Sequence, residues 1–145
     1  MRYGFYGWEG ANVPPVTDEF PGISNPKDLY VRLMRIWDAD TCAPRMRKNW
    51  ANEHPSFGQC SVTAFLAQDI FGGEVFGVPL PDGNFHCFNR VGNCVFDLTS
   101  EQFPCALSYE ACPPQSRDAH FAKAEKLARY ELLRSRLLRS CTQEG

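Results

Sequence analysis

Pro55-Ser-Phe-Gly-Gln-Cys-Ser-Val-Thr-Ala64, continued by Phe65-Leu-Ala-Gln-Asp-Ile-Phe71 and closed by Gly72-Gly73, decides how the chain folds. Val62, Ala64, Phe65, Leu66, Ala67, Ile70 and Phe71 surround a helical wheel on most sides, which marks a helix buried in the core. The glycine pair ends it. Ser56-Phe-Gly-Gln59 fits a capping box, in which Ser56 bonds the amide of Gln59 and Gln59 reaches back, so a helix start is expected there. Cys60 then falls in the first turn, where free amides and the positive end of the helix dipole favour a thiolate. A cysteine in an apolar helix is ordinarily a small buried hydrophobe. A histidine and an aspartate further along the chain argue for chemistry instead.

His86 lies in Asn84-Phe-His-Cys-Phe-Asn-Arg90, and Asp97 in Val95-Phe-Asp-Leu-Thr99. Segments 85–91 and 94–98 flank Gly92-Asn93, a dipeptide suited to a two-residue hairpin turn. In that register Val91 faces Cys94, His86 stands opposite Thr99, and Phe88 stands opposite Asp97. His86 and Asp97 are then diagonal neighbours on one face, expected to meet the Cys60 helix, while Cys87 and Cys94 point to the other face. An imidazole able to take a thiol proton and a carboxylate able to orient the imidazole is triad logic with a sulfur nucleophile. A cleft is expected at the start of the Cys60 helix, between the 38–54 loop and the His86 strand.

Outward from this centre, Asn25-Pro26 with Asp28 gives an N-cap and a helix over 26–37, whose Leu29, Leu33, Ile36 and Trp37 face the core. Residues 1–24 are rich in Gly, Pro and aromatics without a period and read as an irregular arm over a 25–140 core. The 38–54 segment reads as a loop with one turn of helix, and 74–80 as a strand. Residues 117–140 read as one long C-terminal helix. Between Arg117 and Arg139 seven Lys or Arg face three Asp or Glu, an excess that reads as a solvated amphipathic face. Trp37 and Trp50 read as core. His54 and His120 read as surface or structural residues, and Cys87, Cys94 and Cys141 as packing thiols.

With 145 residues, 43% hydrophobic and 22% charged, the chain has the composition of a single globular domain, and its net charge of −2 predicts no nucleic-acid partner. No stretch is long and apolar enough for a membrane span, and the first residues lack a signal-peptide core. Seven cysteines without an export signal read as reduced thiols in a cytoplasmic protein. No C-x-x-C pair gives the usual structural zinc spacing, so neither a metal nor a cofactor is expected.

Gly58-Gln-Cys60, Thr63-Ala64, Gln68-Asp69, Gly72-Gly73-Glu74, His86 with Asn89, Asp97-Leu-Thr99, Gln102-Phe103 and Arg129-Tyr-Glu-Leu-Leu133 together resemble the YunG-like family of small bacterial proteins, over roughly residues 25–140. At greater distance, the cysteine at a helix start, the histidine on a strand and the Asp-Leu-Thr on the next strand look like the papain-like and transglutaminase-like superfamily. That resemblance implies an α+β fold, with the cysteine helix packed on an antiparallel sheet and followed here by the long C-terminal helix. It also implies Cys60 as nucleophile, His86 as general base and later acid, and Asp97 as orienting group. Where papain-like enzymes usually carry a glutamine six residues before the nucleophile, this chain has His54. The oxyanion or support candidates are therefore Gln59, Asn52 and Trp50, beside the Cys60 amide. The expected function is a thiol-dependent hydrolase or acyltransferase acting on a small or peptide-like amide, ester or thioester. The alternative is a non-catalytic binding or accessory protein that keeps the fold.

Overall fold

A computed structural model of the chain describes residues 3–143. The order of elements is α1 (Pro26–Ile36), α2 (Cys60–Phe71), β1 (Glu74–Pro79), β2 (Phe85–Val91), β3 (Cys94–Phe96), α3 (Arg117–Phe121) and α4 (Ala124–Gln143), with short 3-10 turns between them. It is an α+β arrangement. The three strands form one antiparallel sheet in the order β1-β2-β3.

α2 is the hub, with nine of its residues buried, because an element apolar all round is stable only when covered all round. The sheet lies on one side of it and α4 on another, with α1 packed against α4. Two polar clamps fix these layers. The buried Asn89 side chain donates to the Ala64 carbonyl at 2.8 Å, tying β2 to α2, and the Arg117 guanidinium donates to the Phe65 carbonyl at 3.0 Å and to Asp69 at 2.6 Å. Such bonds cost little to form and much to lose, since an orphaned buried polar group forfeits its water without replacement.

The hairpin has the expected register, with Val91 opposite Cys94 and Asn89 opposite Phe96. β3 is shorter than expected. After Phe96 the chain leaves β2, because the Asp97 amide bonds the Tyr6 carbonyl at 3.0 Å instead. The edge of β2 beside His86 and Cys87 is thereby left without a strand partner. Residues 3–24 are largely irregular, as expected, and anchored. Phe5, Ala11, Phe20 and Ile23 are buried, and Gly7, at φ +86°, brings the arm so close to the sheet that a Cβ there would lie 2.2 Å from the Val95 carbonyl oxygen.

α1 begins at Asn25, whose side chain caps the Asp28 amide. The C-terminal helix is a correction. The expected continuous 117–140 helix is broken between Phe121 and Ala124 into α3 and α4. No Pro or Gly marks the break. It arises because α3 is held by Arg117 and by Phe121 packed on Phe65, while α4 runs on along α2 and α1. Among the described residues no helix is long and apolar enough to cross a membrane.

Candidate active site

Cys60 is the first residue of α2, but the capping box is not formed. Gln59 itself is the N-cap, its carbonyl accepting the Thr63 amide at 3.1 Å, and its amide bonds the Ser56 backbone carbonyl rather than the hydroxyl. The cause lies in Gly58. Its φ of +72° turns the chain sharply, and it sits so close to the 42–43 loop that a Cβ would come within 2.4 Å of the Cys42 sulfur. The Ala43 amide and the Gly58 carbonyl bond at 2.9 Å, which locks that loop beside the helix start. The amides of Cys60, Ser61 and Val62 precede the first helical hydrogen bond and point out of the helix end.

His86 and Asp97 come together as the register requires. The imidazole Nε2 lies 2.6 Å from Asp97 Oδ2, with both side chains about 1% exposed. Asp97 is saturated further by the Tyr109 hydroxyl at 2.7 Å on the same oxygen and by the Thr99 amide and hydroxyl on Oδ1. The other ring nitrogen, Nδ1, is buried and makes no conventional hydrogen bond, which leaves it available to the Cys60 sulfur. Phe103 closes over the ring edge-on at 4.6 Å between centroids.

These two residues do not lie on the face that α2 covers. That face carries Cys87 and Asn89, whereas His86 shares the opposite face with Phe88, which packs on Tyr109. Cys60 nevertheless reaches the imidazole, because its sulfur sits against the unpaired edge of β2. There it interacts with the Cys87 thiol and backbone amide as well as with His86. Hydrogen bonding from Cys87 outweighs the opposing effect of burial, and with the His86 hydrogen bond and charge it draws the Cys60 thiol well below its ordinary range. The Cys87 thiol moves the other way, raised by its bond to Cys60 and by burial. For His86, burial opposes the charge, but the Asp97 and Cys60 hydrogen bonds and charges prevail and raise it from 6.5 to about 10. An ion pair of Cys60 thiolate and His86 imidazolium is the electrostatically favoured state.

Cys60 is partly exposed at the floor of a cleft of about 910 Å³. Ala43–Met46 form one wall and Phe85 and His86 another, as expected, and Gln115, His120, Lys123 and Lys126 add a third. His120 and Lys126 were legible only as a structural histidine and a basic helix face. The structure puts both on the cleft. Lys126 Nζ lies 2.8 Å from His120 Nδ1, and His120 Nε2 lies 2.9 Å from Gln115 Oε1. Burial and the neighbouring Lys126 charge press His120 down to about 4, so the ring is neutral, accepting from Lys126 and donating to Gln115. Cys87, read as a packing thiol, is buried in the core and also touches the Cys60 sulfur. His54 is exposed and away from this cleft.

The three support candidates are not brought to the cleft. The Gln59 side chain turns inward and donates to the Asp38 carbonyl at 3.0 Å, its Oε1 remaining buried and unbonded. Trp50 Nε1 donates to the Pro55 carbonyl at 3.1 Å, and Asn52 is exposed. The sequence signal pointed to polar neighbours in the chain, whereas the neighbours in space come from about 60 residues further on.

Comparison with known proteins agrees with the sequence. No solved structure matches the chain. Among curated proteins, "Uncharacterized protein YunG" of Bacillus subtilis (strain 168) is 38% identical over 98 residues, covering 66% of this chain and 83% of the relative. The family described as YunG protein matches residues 25–142, a span that includes Cys60, His86 and Asp97, and the chain belongs to the YunG family.

Proposed function

We propose that the protein is a thiol-dependent acyl-transfer enzyme, a hydrolase or acyltransferase acting on an amide, ester or thioester. The observation that carries the reading is the buried His86–Asp97 pair at 2.6 Å, with the other imidazole nitrogen bonded to no oxygen or nitrogen and facing the Cys60 thiol in an open cleft. A merely structural histidine would have both nitrogens satisfied.

In this mechanism the Cys60 thiolate attacks the carbonyl carbon, and the electron pair of the C=O bond moves to oxygen. The Cys60 amide at the helix end donates to that oxyanion, aided by the helix dipole. As the tetrahedral species collapses, the His86 imidazolium gives its proton to the leaving nitrogen, oxygen or sulfur, and a thioester on Cys60 remains. Water or an amine, losing its proton to His86, then attacks the thioester and regenerates the pair. Asp97 keeps Nε2 as the protonated nitrogen and steadies the positive ring, held by Tyr109 and Thr99. The order of a cysteine helix, a histidine strand and a following carboxylate is that of papain-like and transglutaminase-like enzymes, which supports the same assignment.

Trapping with iodoacetamide tests it. Cys60 is expected to be carboxamidomethylated at about pH 5–6 far faster than the other thiols, with the advantage lost in His86→Ala. Slow labelling of Cys60 with the pH profile of an ordinary thiol, unaltered by His86→Ala, would leave a binding protein in place of an enzyme.

A further inference from the structure

Within the cleft that holds Cys60, charge is unevenly matched. Arg129 is buried and spoken for, bonded to Glu125 at 2.7 Å and to the Thr41 carbonyl at 3.1 Å. Arg45, Lys123 and Lys126 make no direct ion pair among the described residues, and the acids beside them on the cleft are Asp82, which feels the Arg45 charge, and Glu125, which is bonded to Arg129. The chain as a whole is slightly negative, so this is a local reversal of sign.

Lys126 is the informative one. It is half-buried, and its ammonium is held by a neutral imidazole rather than by an anion. Desolvation disfavours such a charge, and a neutral acceptor only partly replaces the lost water. The ring that holds it is itself fixed by Gln115, which accepts from Nε2, so the ammonium is aimed by a chain of two side chains on separate segments. Surface lysines that serve only solubility are not built this way.

We propose that Lys126, oriented by His120 and Gln115 and with Lys123 and Arg45 on the walls of the same cleft, binds an anionic group of the substrate. The acyl compound taken by Cys60 is thus one that carries a carboxylate or a comparable anion near the scissile carbonyl. The inference rests on Cys60 being the nucleophile. The anion offsets the excess of cations over Asp82 and Glu125 in the cleft, and its approach is favoured before contact because those cations line the same cleft.

The test compares two alkylating agents of nearly equal size, iodoacetate and iodoacetamide, by mass spectrometry of the peptide that carries Cys60. In the native protein the iodoacetate-to-iodoacetamide rate ratio is expected to exceed that of glutathione by roughly fivefold to tenfold at low salt, and to fall as salt is added. Lys126→Gln keeps an N–H donor for His120 but removes the charge, and should bring the ratio down close to that of glutathione. Lys126→Arg should restore most of it. A native ratio no higher than that of glutathione overturns the proposal. So does a Lys126→Gln protein in which both rates fall together at constant ratio, since Lys126 would then act on the thiolate and not on the incoming anion. Failure of the underlying reading looks different: iodoacetamide itself would react with Cys60 no faster than with an ordinary thiol.

Discussion

The Tyr109 hydroxyl donates to Oδ2 of Asp97, the same oxygen that holds the His86 ring, at 2.7 Å. In the proposed mechanism Tyr109 is therefore a positioning residue. Burial and the adjacent Asp97 charge raise its own phenol far above the ordinary range, so it stays a donor throughout. Tyr109→Phe removes this bond while keeping the ring stacked on Tyr6. Stability should fall by about 0.5–1.5 kcal/mol. The pH midpoint for iodoacetamide labelling of Cys60 should also move, which loss of packing alone would not produce.

Asp97→Asn keeps the shape but removes the charge that offsets burial of the imidazole. The His86 pKa should drop from about 10 to its ordinary value or lower, and fast labelling of Cys60 at acidic pH should disappear. A two-dimensional NMR titration of the ring protons measures the first effect directly. Retention of a high His86 pKa in this variant would assign the shift to Cys60 alone.

The thiolate–imidazolium pair gives stability a defined pH dependence. His86 is raised from 6.5 to about 10, so its contribution is complete below about 6.5, declines as pH rises, and is gone above about 10. Cys60 is lowered, so its contribution is complete above its ordinary 9.0 and is lost as pH falls through its folded value. Between pH 6.5 and 9.0 the two opposing slopes cancel, because the folded pair holds on His86 the proton that the unfolded chain holds on Cys60, so the destabilisation caused by His86→Ala should stay nearly level there and shrink from 9.0 to about 10. Denaturant midpoints taken across that range give the answer, and a cost that grew with pH would contradict the charge assignment.

Gly58→Ala should be costly out of proportion to one methyl group. The left-handed φ of +72° costs an L-residue about 1–2 kcal/mol, and the contact with the Cys42 sulfur adds about 1–3 kcal/mol of overpacking. Because Gly58 also sets the start of α2, Cys60 labelling should slow even below the unfolding temperature. Thermal melts and labelling rates on the same sample separate the two effects.

The centre of the site was readable because its parts obey short-range rules. The apolar surround of α2, the two-residue turn at Gly92-Asn93 and the parity of His86 with Asp97 each follow from periodicity. What could not be read depends on contacts distant in sequence. Ser56 and Gln59 have the letters of a capping box, but Gly58 and the 42–43 loop impose a different turn. Lys126 and His120 look like members of a solvated helix face until α3 and α4 separate and turn them onto the cleft. Parity assigned Cys87 to the face away from His86, and it lies there; the premature end of β3 lets Cys60 meet both across the strand edge.

The bond between the Tyr6 carbonyl and the Asp97 amide, together with that between the Tyr6 amide and Ser100, joins parts of the chain more than 90 residues apart. On a ribosome, Tyr6 and Cys60 emerge well before His86, Asp97 and Tyr109, and the wall bearing Lys126 emerges later still. A nascent or locally opened chain thus carries Cys60 as an ordinary protonated thiol, poorly reactive toward electrophiles and oxidants. Under the proposed function, nucleophilicity arises only on closure of long-range contacts, so the sulfur is protected from damage through the stage at which the polypeptide is least able to shield it.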